Sequence, residues 1–178
     1  KKFIPTYTIV IPVFFALILL VKGNMPLLTR SPIYLSDLSP YTRTQDWGRS
    51  VEDKAGSSGR SIKDWHRLSV QYYFYDKGIG THANSKILYD IGGLFEWFTT
   101  DYGVDTQGGP QGSVKFQVWG DDVLIWESDI KKRYENPGHI NINVTGVRTL
   151  ELVVTDADNG NTDDHAGWYN AKLWPHKK

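Results

Sequence analysis

Five histidines, twenty acidic side chains and seven tryptophans are the groups with which this 178-residue chain could transform or hold another molecule. Their spacing argues against bond breaking. His66, His82, His139, His165 and His176 are scattered, and none stands in the HExxH pattern that sets two imidazoles around zinc. Cysteine is absent, which removes thiolate nucleophiles, disulfides and Cys-based zinc sites. No Gly-x-Ser-x-Gly elbow presents a serine nucleophile. Glycoside hydrolysis needs two carboxylates across a cleft with separated pKa values, and no spacing here singles out such a pair. The chain therefore reads as a binding protein and not as an enzyme.

A binding site for a polar ring-shaped ligand needs a planar aromatic face for its apolar side and fixed polar groups for its hydrogen bonds. Trp47, Trp65, Trp97, Trp119, Trp126, Trp168 and Trp174 supply the first, although most aromatic rings in a β-protein are core residues. Trp168 stands in a polar stretch and is the foremost platform candidate. His82, Asn84 and Ser85 follow Gly78 and Gly80. As ligands they would hydrogen-bond hydroxyls; as structural groups they would satisfy loop amides. Both readings stay open, and the same holds for Asp164 and His165. Asp156-Ala-Asp-Asn-Gly-Asn-Thr-Asp-Asp164 is rich in oxygen donors, which makes Asp156, Asp158 and Asp163 candidate calcium ligands. The order is not that of an EF-hand, because Gly160 is fifth and no Glu is twelfth, and a solvated turn is the alternative. Asn143-Val-Thr145 is a glycosylation sequon on an expected strand.

Three segments must position these groups. Residues 1–22 hold Lys1, Lys2 and Lys22 and no acid, which leaves 17 basic against 20 acidic residues in the remainder. A weakly acidic domain is a poor partner for polyphosphate, so nucleic acid is not an expected ligand. Phe3–Val21 carries no charge. As a helix it would span roughly 28 Å, against a hydrocarbon core of about 30 Å. It exceeds the apolar core of a cleaved signal peptide, about 7–15 residues, and no small-x-small site follows. The expectation is an uncleaved single-pass anchor in the lipid bilayer, kinked at Pro12. Its N-terminal lysines would be cytoplasmic and the C-terminal domain periplasmic or extracellular. Residues 23–32, with Pro26 and Pro32, read as an extended linker.

From residue 33 to 174 short apolar runs alternate with Gly, Asp and Asn clusters. Leu68–Tyr75, Lys86–Ile91, Leu94–Thr99, Ser113–Trp119, Val123–Ser128, Ile140–Val144 and Thr149–Thr155 are expected strands. Val114, Phe116 and Val118 alternate with Lys115 and Gln117. Gly120-Asp121-Asp122 reads as a hairpin turn. Short helical turns near Ser36–Leu38 or Ile62–Trp65 are compatible with the pattern. The fold class is all-β, a two-sheet sandwich or jelly roll preceded by one membrane helix.

The chain also resembles the NPCBM family of carbohydrate-binding modules. The resemblance rests on Tyr34-Leu-Ser-Asp-Leu38 with Trp47-Gly48, and on Lys77-Gly-Ile-Gly-Thr-His-Ala-Asn-Ser85 with Ile87, Tyr89, Asp90 and Ile91. It continues through Gly103-Val-Asp105, Gly112–Val118 with Gly120-Asp121, Glu127-Ser128, Asp163-Asp-His-Ala166 and Asn170-Ala-Lys-Leu173. It implies a galactose-binding-like β-sandwich and a carbohydrate site that draws on His82, Asn84, Ser85, Asp164, His165 and Trp168. Structural calcium is common in that fold. The family pattern after Asp-His-Ala has an acid and a small residue where this chain has Gly167 and Tyr169. The expected function is a membrane-anchored, non-catalytic carbohydrate-binding module. The alternative is an assembly subunit of a larger integral-membrane complex, photosynthetic or respiratory, that reuses the fold.

Overall fold

The computed structural model describes residues 31–56 and 66–176. The expected anchor over 1–22, the linker as far as residue 30 and the candidate turn Ile62–Trp65 lie outside the described residues. Among the described residues no helix is long and apolar enough to cross a membrane.

The strands run in chain order as β1 (Ile33–Tyr34), β2 (Thr42–Gln45), β3 (Val51–Glu52), β4 (Leu68–Val70), β5 (Tyr73–Tyr75), β6 (Gly78–His82) and β7 (Ser85–Asp90). They continue as β8 (Phe95–Val104), β9 (Ser113–Gly120), β10 (Val123–Glu127), β11 (Lys131–Lys132), β12 (Gly138–Asn143), β13 (Thr149–Thr155) and β14 (His165–Pro175). A 3-10 turn, Leu35–Asp37, follows β1. One sheet has the order β12-β8-β14-β6-β3, with β1 added beside β14. The other has the order β10-β9-β13-β7-β2, with β11 beside β9. The strand pairings are antiparallel.

Alternation places the core. Val114, Phe116 and Val118 of β9, and Leu150, Leu152 and Val154 of β13, turn inward and are fully buried. They meet Ile79, Phe98, Trp168 and Leu173 of the opposite sheet. This is the aligned packing of two sheets whose facing side chains form one core. Asp121 and Asp122, both at positive φ, make the two-residue loop between β9 and β10.

Two features depart from the sequence expectation. Leu68–Tyr75 is a hairpin rather than one strand: Gln71 has φ 52°, and Val70 pairs with Tyr73. Its Leu68, Val70 and Tyr75 form a second small core with Tyr169. More consequentially, the glycine-rich run at 78–82 and the polar run from 165 are central strands of their sheet. Glycine ordinarily marks a turn. Here it permits close backbone approach. A Cβ on Gly78 would lie 2.5 Å from the Trp168 carbonyl oxygen, and one on Gly80 would collide with the backbone of Lys54 to Gly56.

Candidate functional site

At one end of the sandwich β2 runs out into Asp46-Trp47, β6 turns into β7, β13 departs and β14 enters. His82 ends β6, His165 begins β14, and the two are direct cross-strand partners. Their imidazoles meet edge to face with centroids 4.9 Å apart. Trp47 leans on both, 4.9 Å from His82 and 5.2 Å from His165, and stays 43% exposed. The result is an indole ring at the surface, backed by two largely buried imidazoles.

The charge state of those imidazoles follows from their surroundings. His82 Nδ1 is 2.7 Å from the Ala83 carbonyl oxygen, so that nitrogen carries the hydrogen and the other is left as an acceptor. Burial lowers the His82 pKa, against the opposing pull of Asp163 and Asp46. Burial, reinforced by the neighbouring His82, pushes His165 down to about 4, and its Nδ1 has no hydrogen-bond partner. At neutral pH both rings are uncharged, and His82 keeps an acceptor nitrogen beside the aromatic plane.

The surrounding residues hold this arrangement. The Asn84 side-chain oxygen accepts from the Asp156 backbone N–H at 2.9 Å, and its amide nitrogen donates to Asp46 Oδ2 at 3.1 Å. The Asp46 N–H donates back to the Asn84 carbonyl at 3.0 Å. Asn84 therefore ties the β6–β7 turn to the segments on either side. Asp164 is fully buried: Oδ1 accepts from the Ser113 N–H at 2.7 Å, and Oδ2 has no partner. Burial raises its pKa to about 7. Its backbone carbonyl accepts from the Ala83 N–H at 3.2 Å, which braces the turn from beneath.

Of the residues singled out in the sequence, His82, Asn84, Ser85, Asp164 and His165 come together here. His82 and His165 border the surface rings, and Asn84 shapes the rim. Asp164 and Ser85 are sealed below it, Ser85 at 2% exposure, so neither presents its side chain to a ligand. Trp168 is not a surface platform. It faces the sandwich interior at 0% exposure, with its ring edge on Phe116 at 5.0 Å, because the polar run around it is a strand and not a loop. The ring that takes the expected role is Trp47, which sequence reasoning named only among seven. Its signal was the position straight after a strand and before Gly48, which has φ 66°.

The expected calcium ligands do not converge. Asp156 Oδ1 accepts from the Asp158 N–H at 3.2 Å, closing a local turn. Asp163 Oδ2 accepts from the Gln111 N–H at 3.3 Å, and Gly109 packs against the same carboxylate. Among the described residues no three His, Asp or Glu side chains form a group able to hold a metal. Asp156, Asp158 and Asp163 thus do not fit a calcium site as a set.

The family model described as NPCBM/NEW2 domain matches residues 31–174. The chain belongs to this family. A solved CBM51 from Clostridium perfringens GH95, in complex with methyl-galactose, superposes on the NPCBM domain with a TM-score of 0.71 at 30% identity. That match covers 80% of this chain and 99% of the other. CBM51-2 with INT domains of Clostridium perfringens ZmpB, in complex with GlcNAc, gives 0.71 at 30% identity, over 83% of this chain and 32% of that one. The curated relative "Putative endo-alpha-N-acetylgalactosaminidase" of Renibacterium salmoninarum is 30% identical over 143 residues, 79% of this chain. The chain spans only 9% of that protein's length. The likeness is to a non-catalytic binding module within larger proteins. Gly167 and Tyr169 of this NPCBM domain lie outside the ring cluster. A Cβ on Gly167 would strike the Tyr169 ring. That ring stacks on Tyr75 at 4.6 Å, and its hydroxyl donates to Asp105 Oδ2 at 3.2 Å. Gly167 thus leaves the space that the Tyr169 ring fills under the β4–β5 hairpin.

Proposed function

We propose that this chain is a non-catalytic carbohydrate-binding module that captures a sugar ring on Trp47, with His82 hydrogen-bonding its hydroxyls and His165 backing the indole. The observation that carries this reading is the half-exposed Trp47 indole resting on two neutral imidazoles. Such a pairing of an apolar plane with a fixed, uncharged acceptor suits a pyranose. Relatives solved with methyl-galactose and with GlcNAc support a galactose- or GlcNAc-type terminal residue. The test is a glycan array followed by calorimetry on the full chain, in a detergent that is not itself a glycoside. Galactose- or GlcNAc-terminated hits that disappear in Trp47→Ala are expected. A blank array, or hits that Trp47→Ala leaves intact, overturns the reading.

The module is further read as tethered to a bilayer through Phe3–Val21, with the sandwich outside the cytoplasm. The support is the charge-free length of that run. Retention of the expressed chain in the membrane pellet after alkaline carbonate extraction is expected, and release into the supernatant refutes the tether.

A further inference from the structure

The ring cluster is not the whole of the concave surface at this end. Beside it, along the outer side of β2, β7 and β13, lies a groove of about 370 Å³. That volume falls in the range of small-ligand sites, about 300–1,000 Å³. Register builds it: Thr44 pairs with Lys86, and Lys86 with Val153, so the three stand in one row across the strands. Thr44 and Lys86 are exposed, while Val153 is only 4% exposed. The row therefore sets an ammonium group between a hydroxyl on one side and an apolar side chain on the other. Lys86 forms no ion pair among the described residues, and its three N–H donors are open to a ligand.

The groove and the ring cluster share a border. Asp46 and Asn84 line the groove. Asp46 also directly precedes Trp47, and Asn84 lies one residue beyond the Ala83 whose carbonyl holds His82. The mutual hydrogen bonds of Asp46 and Asn84 make that border a fixed rim rather than a mobile one. A sugar ring seated on Trp47 has its next linkage available across this rim.

We infer that the site recognises a glycan of at least two rings. The terminal ring lies on Trp47, His82 and His165, and the second crosses the Asp46–Asn84 rim onto Thr44, Lys86 and Val153. This inference rests on the proposed sugar reading of the ring cluster. The second ring lies across this row, its hydroxyls on Lys86 and Thr44 and one edge against Val153. Hydrogen bonds of this kind support about a tenfold gain over the monosaccharide.

The experiment is calorimetry and amide NMR on the full chain with methyl galactoside and GlcNAc as monosaccharides. N-acetyllactosamine and chitobiose serve as the matching disaccharides. Expected is a roughly tenfold tighter Kd for the disaccharide of the bound type, with shifts at the Thr44, Lys86 and Val153 amides that the monosaccharide does not produce. Lys86→Ala, an exposed change that leaves the fold intact, should remove most of the gain and keep monosaccharide affinity. Equal affinities for one and two rings, or shifts confined to Trp47, His82 and His165, overturn the second subsite and leave the first standing. Absence of binding by all four sugars defeats both readings together.

Discussion

Asp164 and His165 are neighbours whose burial acts on stability with opposite sign, and this gives a sharp test. Burial raises the Asp164 carboxyl from 3.8 to about 7, with Asp156 and Asp163 adding to the effect. The folded state then binds that proton more tightly than the unfolded one. This carboxyl's contribution is intact below pH 3.8, falls as pH rises towards about 7, and is flat beyond. Burial lowers the His165 imidazole from 6.5 to about 4, with His82 adding to it and Asp163 opposing it. Here the folded state rejects the proton, so stability rises with pH between about 4 and 6.5. At 1.36 kcal/mol for each tenfold change, the limits are about 4 kcal/mol for the carboxyl and about 3 kcal/mol for the imidazole. Relaxation at a sandwich end lowers both, and roughly half of each is expected to survive. Between pH 4 and 6.5 these contributions of the parent chain largely cancel. Asp164→Asn keeps an oxygen for the Ser113 N–H and removes the charge, so its stability should climb with pH across that window. His165→Gln should fall across it. Urea unfolding at several pH values between 4 and 8 reads out all three profiles. If Asp164→Asn and the parent run parallel, the carboxyl is not held in a water-poor site, and the account of the brace beneath the ring cluster is wrong.

Other expected outcomes separate the surface ring from the buried ones. Trp168→Ala removes a fully buried indole from the core and should cost about 3–5 kcal/mol in urea unfolding, whereas Trp47→Ala should cost about 1 kcal/mol or less. A Trp168 substitution with no stability cost would contradict its placement. Gly80→Ala forces a methyl into the Lys54–Gly56 backbone and should unfold the chain or lower its stability by more than about 3 kcal/mol, as seen by circular dichroism. Tyr169→Phe deprives buried Asp105 of a hydroxyl donor and should cost about 1–3 kcal/mol by the same unfolding assay.

The sandwich was legible where side chains alternate. Val114, Phe116 and Val118, and Leu150, Leu152 and Val154, mark inward faces without help from tertiary context. The two strands that carry the histidines were not legible. Gly78 and Gly80 read as turn residues, and only the backbone passing over them reveals why they sit within a strand. Asp163, Asp164 and Asn170 gave the region around β14 the look of a polar loop, and Trp168 was drawn to the surface with it. Burial of Asp164 is a property of the Ser113 N–H it meets across the fold, which no local pattern announces. The histidines, Asn84 and the Asp-His pair were recognisable through the family motif. The indole that completes them stands in the same motif, but nothing local marks it as the ring at the surface, since a surface tryptophan and a core tryptophan have the same sequence signature.

The cross-strand pairing of His82 with His165 joins the middle of the chain to its last strand. β14 is the centre of its sheet, with β8 on one side and β6 on the other. During synthesis, β6 and β8 emerge from the ribosome with no partner between them until β14 follows. The ring cluster therefore forms only once β14 has emerged, and ribosome-bound fragments lacking β14 would hold Trp47 and His82 without a site.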